Sequence, residues 1–460
     1  MSSVLVALLA LVPLQDRSDE PKGLGLDAIV AEAEKLDVRT GVYVRLLKHD
    51  APDYRHRSEE SFSPASNHKL FTAALVCEEL GAEHRFVERF RWHAEEGVLA
   101  VTAGGHPLLG LDGKPAFAGL GAELKQRGIS EVALRLDPGP FKGPARPDGW
   151  PDNQTDRWYE APTGPFVLDE GCVTLILDPK GAERGPCALA FEPVGLDLPV
   201  DGEILLTSDK AKGGVFGALV REQGIKVWGR YWSGAQPRRE RIACDDPELV
   251  YRSVLASELA AAGVRITDPA APAPRSEGET VHEVEAPLSG ALARMLGESI
   301  NFTAEQCLRI VAGRHGEASL AAGRELLQKR FAGTAPRAEA WHAADGSGLS
   351  RGNLTSPLQV GKLLAEVYGR PWREAYVASL PRSGVSGSLL RRLQGEMRGR
   401  VLAKTGWIAG ASSLSGYVRC ESGEVAVFSI LMNYNRRRGG LNKALKDIQD
   451  RIVVRIKSRL

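Results

Sequence analysis

Hydrophobic residues recur at two different periods along the chain and predict helices and strands at both ends. Residues Leu26 to Leu36 have the spacing of an amphipathic helix, and Thr40 to Leu47 is typical of a strand. Near the other end, "RGRVLAKTG", "SSLSGYVRC" and "GEVAVFSILMN" predict three strands, with a tight "ESGE" turn before the last. An apolar-periodic helix, "LNKALKDIQDRIVVRIKSRL", follows. We therefore expect the two ends of the chain to build one α+β layer.

The pattern changes between about Arg91 and Arg275, where glycine and proline are frequent and helical periodicity is scarce. Short stretches such as "VALRLD", "CVTLILD" and "GEILLTS" predict strands there, and the Pro/Ala-rich "DPAAPAPRSEGE" is typical of a linker. From Leu288 to Leu393 the pattern is mostly helical. The sequence predicts one domain from residues 21–90 and 276–460, interrupted by a mostly β insertion at residues 91–275.

The stretch "SPASNHKLFTAALVCEEL" places a serine and a lysine at the head of an apolar helix. Almost every position after Lys69 is apolar, so the helix is predicted to be buried, and lysine is rarely buried without a partner or a task. Ser66 lies three residues earlier, on the same side of the first turn. A helix cap for Ser66 and a surface position for Lys69 are the alternative interpretations. A buried, neutral lysine beside a serine would instead activate that serine as a nucleophile.

Two further motifs carry polar groups that suit such a site. Ser299 and Asn301 fall between two predicted helices, so we expect them on a loop that points outward. Lys404, Thr405 and Gly406 end a predicted strand, and the glycine would let a substrate backbone approach that strand closely. The alternatives are a helix cap for Ser299 and an edge-strand lysine that blocks aggregation for Lys404.

Composition and charge narrow the function. The 460 residues carry a net charge of +1, which gives no electrostatic basis for binding nucleic acid. The apolar run from Val4 to Leu14 is too short to span a bilayer and resembles the core of a secretory signal peptide. We therefore expect residues 1–20 to be a signal peptide, cleaved near Gln15 to Glu20, and the protein to be exported to the periplasm or cell envelope. No later stretch of the sequence predicts a stable transmembrane span.

The six cysteines form no Cys-x-x-Cys pair and have no metal-ligand spacing, and no His-Glu-x-x-His cluster is present. We predict neither a metal nor another cofactor. Cys77 and Cys307 lie in apolar helical patterns typical of free buried thiols. In an exported protein, Cys172 and Cys187 could form a disulfide.

In this order, Ser-x-x-Lys, Ser-x-Asn and Lys-Thr-Gly resemble the signature of penicillin-binding proteins and serine β-lactamases. "PASNHKLFTAAL", "SINFTAEQ", "DGSGLSRGNLTSP" and "AKTG...LSGYV" together resemble the class C low-molecular-mass penicillin-binding proteins. These are D-alanyl-D-alanine carboxypeptidases and endopeptidases with domains inserted after the first motif. The resemblance covers nearly all the chain from about residue 26. It implies a transpeptidase-like domain, an antiparallel sheet flanked by helices, with an inserted region.

The resemblance also implies roles for the motif residues. Ser66 would be the nucleophile and Lys69 its general base. Ser299, helped by Lys404, would relay the proton to the leaving group. Asn301 would hold an amide of the substrate.

The third motif would bind the end of the substrate. Lys404 and Thr405 would bind its terminal carboxylate, and the backbone N–H groups of Ser66 and Trp407 would form the oxyanion hole. Arg351, in "GLSRGN", would reach the peptide stem.

Three residues depart from the family pattern. Trp407 stands where threonine is common, so it is expected to affect substrate choice. Ile300 fills the often polar middle of Ser-x-Asn, and His106 stands in "GGHP", where the family often has aspartate. Neither of these two is expected to alter acylation.

The predicted function is a serine D-Ala-D-Ala carboxypeptidase or endopeptidase that acts on peptidoglycan stem peptides and has β-lactams as covalent inhibitors. No Gly-x-Ser-x-Gly elbow is present, which disfavours an α/β-hydrolase. The alternatives are a serine β-lactamase, which would turn penicillin over rapidly, and a catalytically weak wall-binding scaffold.

Overall fold

The protein is described by a computed structural model that covers residues 24–460, so the predicted signal peptide lies outside the described residues. The helices are α1 Asp27–Lys35, α2 Lys69–Leu80, α3 Leu120–Gln126, α4 Pro247–Ala261, α5 Leu288–Leu292, α6 Asn301–Gly313, α7 Leu320–Ala332, α8 Pro357–Tyr368, α9 Arg373–Ala378 and α10 Asn442–Arg459. The strands are β1 Arg39–Leu46, β2 Tyr54–His56, β3 Arg85–His93, β4 Val98–Thr102, β5 Glu131–Asp137, β6 Cys172–Asp178, β7 Gly185–Pro186, β8 Ala188–Glu192, β9 Val200–Thr207, β10 Phe216–Arg221, β11 Gly224–Trp232, β12 Arg238–Ala243, β13 Arg265–Asp268, β14 Glu279–Pro287, β15 Val401–Ile408, β16 Ala411–Arg419 and β17 Val425–Asn433.

The two ends of the chain meet in one antiparallel sheet, the main sheet, with the strand order β15-β16-β17-β1-β2. Side chains alternate between its faces, so one face packs on α1 and α10 and the other on α2 and α8. Tyr43 and Tyr417, for example, pack toward α2 and α8, whereas Val42 and Val418 pack toward α10. The expected α+β layer, an antiparallel sheet flanked by helices, is confirmed.

The middle of the chain, from β3 to β14, forms three further sheets around a hydrophobic core of its own. We call this part of the chain the middle region. Their strand orders are β13-β5-β4-β3-β14, β10-β11-β9-β7 and β12-β6-β8. The helices α3 and α4 pack against this core, so strands predominate without excluding helices. Because β3 pairs with β14 along its length, the segments that lead into and out of this region lie side by side.

All six cysteines are buried and free. Cys77 and Cys307 are the buried thiols that their helical patterns predict. The pairing considered for Cys172 and Cys187 is wrong, because the two side chains lie in different hydrophobic clusters. Cys172 packs with Ile300, near α6, whereas Cys187 belongs to the core of the middle region. Across residues 24–460, none of the helices has the length and apolar character needed to cross a bilayer.

Candidate active site

Ser66 lies in a 3₁₀ turn, Ala65–His68, that leads directly into α2. The turn is entered through Ala65, whose φ of 48° is costly for a residue with a side chain. No side chain caps either the turn or α2, so the cap interpretation of Ser66 is wrong. The serine hydroxyl is therefore left to face a cleft, on a backbone that its surroundings hold in a strained conformation.

Lys69 is completely buried below Ser66, so the surface interpretation of this lysine is wrong. Its Nζ donates to three oxygens: Ser66 Oγ at 3.3 Å, Asn301 Oδ1 at 2.6 Å and the Ser347 carbonyl at 2.7 Å. The first two come from the first and second sequence motifs, which lie more than two hundred residues apart. The lysine thus joins the two motifs at one point.

Burial lowers the pKa of Lys69 to about 7, although the charges of Asp345 and Glu305 oppose the shift. Glu305 lies inside α6 and accepts hydrogen bonds from the backbone N–H groups of Gly346 and Ser347. Burial raises the pKa of that carboxyl to about 8. Glu305 thereby fixes the loop whose carbonyl holds Lys69.

Ser299 and Asn301 occupy different kinds of backbone. Ser299 lies in the loop between a π-helical turn, Ala293–Gly297, and α6, with a φ of 68°. Asn301 is the first residue of α6 and is buried, so its expected place on an outward loop is wrong. Ile300, in extended conformation, is the N-cap residue instead of Ser299. The Asn301 amide nitrogen donates to the Tyr159 carbonyl at 2.8 Å, which fixes the direction of the amide.

Lys404 lies on β15, at the edge of the main sheet, but is completely buried, so it is not an exposed edge-strand lysine. Its Nζ donates to Ser299 Oγ at 2.7 Å and to the Thr405 carbonyl at 3.0 Å. Burial, with the charge of Lys69 as a second cause, holds the pKa of Lys404 well below its usual value. The Thr405 hydroxyl donates to Ser388 Oγ at 2.7 Å.

The packing of the protein itself requires glycine at position 406, in addition to the expected approach of a substrate backbone. A Cβ on residue 406 would lie 2.2 Å from Ser413 Oγ and 2.9 Å from both the Pro64 carbonyl oxygen and the Ser66 nitrogen. All three distances are too short for a carbon atom. The missing side chain lets β15 pack directly against the 3₁₀ turn that carries Ser66.

The edge of β15 presents alternate backbone N–H groups away from the main sheet. The Ala403 N–H points to this outer edge, where it donates to the Pro381 carbonyl. Because the direction alternates along a strand, the N–H groups of Thr405 and Trp407 point to the same edge. Gly406 keeps this edge against the turn that carries Ser66.

The cleft above these residues has a volume of about 620 Å³. Sequence-predicted residues that line it are Ser66, Ser299, Asn301, Arg351, Thr405, Gly406 and Trp407. Lys69 and Lys404 lie beneath its floor. The middle region contributes Trp158 and Tyr159 as one wall. Arg351 donates to the Ala409 carbonyl, and the Trp407 residue is 53% exposed.

The other two departures from the family pattern lie outside the cleft lining. The Ile300 side chain packs with Val167 and Phe302 in a small buried cluster. His106 is buried and accepts from the Leu108 N–H through Nδ1, at 3.1 Å. Neither side chain contacts a motif residue in these interactions.

A buried ion cluster connects the middle region to the second motif. Glu170 accepts from Arg294 Nε at 2.6 Å and from Arg241 Nη1 at 2.9 Å, and Thr303 Oγ1 lies 3.3 Å away. Arg294 belongs to the π-helical turn before Ser299, and Thr303 to the first turn of α6. Glu170 therefore holds the backbone on both sides of the second motif.

Sequence reasoning missed several groups of the site. Ser347 acts through its backbone carbonyl, and Tyr159 also offers a carbonyl, which any residue type would supply. Ser388 and Glu170 contribute side chains, but neither stands in a motif. The glycine-rich stretches "DGSGLSRGN" and "SGVSGSL" are the available signal for Ser347 and Ser388, because tight turns often border a site.

The geometry agrees with the results of comparisons with known proteins. The chain matches the D-Ala-D-Ala carboxypeptidase 3 (S13) family over residues 24–458. The chain belongs to this family. The match covers both the main sheet and the middle region, and the resemblance to class C penicillin-binding proteins is confirmed.

Curated relatives and solved structures agree with this membership. The chain is 28% identical to a D-alanyl-D-alanine carboxypeptidase of Actinomadura sp. (strain R39), over 94% of this chain and 83% of the relative. It is 25% identical to D-alanyl-D-alanine carboxypeptidase DacB of Haemophilus influenzae, over 80% of each. The crystal structure of penicillin binding protein 4 (dacB) from Haemophilus influenzae superposes with a TM-score of 0.76 at 22% identity, covering 93% of this chain and 98% of that one. The S13 member described here therefore shares that fold.

Proposed function

We propose that the protein is a serine D-alanyl-D-alanine carboxypeptidase or endopeptidase that cleaves peptidoglycan stem peptides through an acyl-enzyme on Ser66. The observation that carries the proposal is the position of Lys69 Nζ, buried and 3.3 Å from Ser66 Oγ at the floor of the cleft. Membership of the S13 family supports the same class of reaction. The proposed chemistry uses no cofactor.

Lys69 acts as the general base that takes the Ser66 proton. A neutral amine has two hydrogens and one lone pair. The Ser347 carbonyl and Asn301 Oδ1 carry no hydrogen, so they accept both hydrogens of the amine. The lone pair is then left for the Ser66 hydroxyl. With a pKa of about 7, a substantial fraction of Lys69 is neutral near physiological pH.

Ser299 passes a proton to the departing D-alanine. Lys404 Nζ donates to Ser299 Oγ, which leaves the Ser299 hydroxyl hydrogen available to the leaving amine. Ser66 Oγ forms an ester with the penultimate D-alanine as the peptide bond breaks. The proton that Lys69 took from Ser66 replaces the one that Ser299 gave to the leaving amine, so both groups regain their starting protonation. In the second step Lys69 removes a proton from a water molecule, whose oxygen attacks the ester, and this proton returns to Ser66 Oγ as the shortened stem peptide leaves.

The oxyanion of each tetrahedral intermediate lies between the backbone N–H groups of Ser66 and Trp407. Two preorganised donors of this kind are worth several kcal/mol in similar sites, about 3 kcal/mol for a single donor. Asn301 and Arg351 contact the peptide stem.

The terminal carboxylate of the substrate binds at Lys404 and Thr405. Trp407 provides no hydroxyl there, but Ser388 Oγ lies 2.7 Å from Thr405 Oγ1 and lines the same cleft. We assign to Ser388 the second hydroxyl of the carboxylate site. The exposed Trp407 indole forms an apolar wall beside the leaving group.

Labelled penicillin tests the proposed function. The wild type should form a stable covalent adduct and release D-alanine from a peptide that ends in D-Ala-D-Ala. Ser66→Ala should do neither while it unfolds at the same denaturant concentration. Ser208→Ala, an exposed serine of the middle region, is the matched control and should behave as wild type. Rapid loss of the label would indicate a β-lactamase, and no labelling at all would indicate a scaffold.

We also propose that the protein is exported to the periplasm or cell envelope, where its substrate lies. A second proposal is that residues 91–275 form an inserted region that shapes specificity for the substrate. The apolar run at Val4 to Leu14 supports export, and the wall formed by Trp158 and Tyr159 supports the second proposal. Secretion of a reporter fused to residues 1–20 tests the first. Failure of that reporter to leave the cytoplasm would contradict it.

A further inference from the structure

A second cavity, of about 750 Å³, opens in the middle region next to the active-site cleft. Gln154, Trp158 and Tyr159 line both cavities, so the two are adjacent. We call the second one the aromatic groove, and its walls include Gln154, Trp158, Phe216, Trp228, Arg238 and Glu240. None of these residues takes part in the proposed chemistry.

The groove has a flat aromatic platform. Trp228 on β11 is the cross-strand partner of Gly217 on β10, and a Cβ at residue 217 would lie 2.5 Å from Trp228 Cζ2. The six-membered ring of the indole therefore rests against the glycine. The Trp228 residue is still 45% exposed, which leaves its other side open to the groove. The indole therefore offers a flat apolar surface to the groove.

The opposite wall carries a second exposed tryptophan and fixed polar groups. Trp158 is 40% exposed, and the loop that carries it is held to β12 by the bond from the Ala243 N–H to the Asp156 carbonyl. The Tyr159 hydroxyl donates to Gln154 Oε1 at 2.7 Å. No described residue accepts from the Gln154 amide nitrogen, so both of its hydrogens are available to a ligand.

The charges of the groove are already paired within the protein. Arg238 pairs with Glu240 at 2.7 Å, Arg241 with Glu170 at 2.9 Å, and Arg157 Nε lies 3.8 Å from an Asp156 oxygen. A groove that binds a strongly charged polymer would present one sign of charge in excess. The pairing favours a neutral ligand that has both apolar faces and hydrogen-bonding groups. Sugar rings have this character, because their C–H faces stack on indoles and their hydroxyl and acetamido groups bind amides and charged side chains.

We infer that the aromatic groove binds the glycan strand of peptidoglycan, as a neutral polymer of N-acetylated hexosamines, while its stem peptide occupies the active-site cleft. This inference rests on the proposed function for the identity of the stem. A stem of about five extended residues spans about 17 Å, so the sugar that carries it must lie close to the cleft. The shared lining of the two cavities places the groove within such a range.

The test compares two substrates that differ only in the sugar: a free stem peptide ending in D-Ala-D-Ala, and the same peptide on a disaccharide of N-acetylglucosamine and N-acetylmuramic acid. The wild type should show a higher kcat/KM for the second. Loss of one aromatic platform should reduce that preference about fivefold, the scale of one aromatic contact. Trp228→Ala should therefore lose most of the preference, whereas Trp228→Phe should keep part of it.

Two controls separate the groove from the chemistry. Leu205→Ala removes an exposed apolar side chain from β9 of the same sheet, outside the groove, and should leave the preference unchanged. Acylation by penicillin should be the same in wild type and Trp228→Ala. Binding of a peptide-free oligomer of N-acetylglucosamine, followed by calorimetry, should weaken in Trp228→Ala and not in Leu205→Ala.

The outcomes distinguish the two proposals. Two results would refute glycan binding by the aromatic groove. In the first, acylation and D-alanine release are normal but the enzyme shows no preference for the sugar-bearing substrate. In the second, Trp228→Ala leaves that preference intact. Absence of acylation would refute the proposed function. Binding of the oligomer would then be the remaining test of whether the groove binds glycan. If the oligomer binds wild type and Trp228→Ala equally, the groove is not a glycan site.

Discussion

Ser388→Ala removes the hydroxyl that we assign to the carboxylate site. The structure places Ser388 Oγ 2.7 Å from Thr405 Oγ1, so the two hydroxyls can meet the two oxygens of one carboxylate. A hydrogen bond to a charged group contributes about 1.5–3 kcal/mol. The substitution should therefore lower kcat/KM for peptides ending in free D-Ala-D-Ala about ten- to hundred-fold.

The assay measures D-alanine release from a peptide with a free terminal carboxylate and release of D-alaninamide from the amidated peptide. The loss should be confined to the first substrate. Ser208→Ala, an exposed serine of the middle region, is the control and should change neither rate. Trp407→Thr, in the Ser388→Ala background, should restore part of the loss, because it returns a hydroxyl to the same face of β15 as Thr405.

Two results would refute this reasoning. If Ser388→Ala lowers both rates equally, the hydroxyl supports the cleft and does not bind the carboxylate. If Trp407→Thr changes kcat/KM by the same factor with and without Ser388, the two positions are independent and do not share a ligand.

The remaining predictions concern Lys69, the packing of Gly406 against the turn that carries Ser66, and the ion cluster around Glu170. Because only neutral Lys69 can accept a proton, acylation by penicillin should rise with pH through about 7 and level off above it; a flat profile between about pH 5 and 9 would exclude this lysine as the base. Gly406→Ala should abolish acylation, since its Cβ would lie 2.9 Å from the Ser66 nitrogen; unchanged labelling would contradict the close packing. Glu170→Gln should lower the free energy of unfolding by about 3 kcal/mol, because it removes the buried carboxylate that pairs with two partly buried arginines, Arg241 and Arg294. Glu298→Gln, which removes an exposed partner of one of those arginines, should cost about 1 kcal/mol or less in the same urea titration, and equal effects would count against the cluster.

Features that depend on a local pattern of residues could be predicted well from the sequence. The strands and helices of the main sheet are recovered within a few residues, because the helices have a clear period and the strands are short, largely apolar runs bounded by turn residues. The motif residues Ser66, Lys69, Ser299 and Lys404 come together at one cleft, as the resemblance to penicillin-binding proteins implied. The burial of Lys69 follows from the apolar helix after it.

Features that depend on pairing between distant segments could not be predicted. The place of Asn301 inside α6 depends on the Tyr159 carbonyl, which arrives from the middle region. Gly406 is required by the approach of the nucleophile turn, which no local pattern encodes. The Trp228 platform exists because β10 places Gly217 opposite it, and a register of this kind is not visible in either strand alone.

The position of β1 between β17 and β2 has a consequence for the order of synthesis. A ribosome completes the turn that carries Ser66 hundreds of residues before it makes β17, whereas the middle region finds its own strand partners in between. Closing so long a loop is slow and leaves β1 without its partner for most of translation. A chain that stops before Val425 contains all three motifs but lacks the strand that joins its two ends. The complete active-site cleft therefore depends on nearly the whole polypeptide, and a chain that stops before Val425 should show no hydrolytic activity.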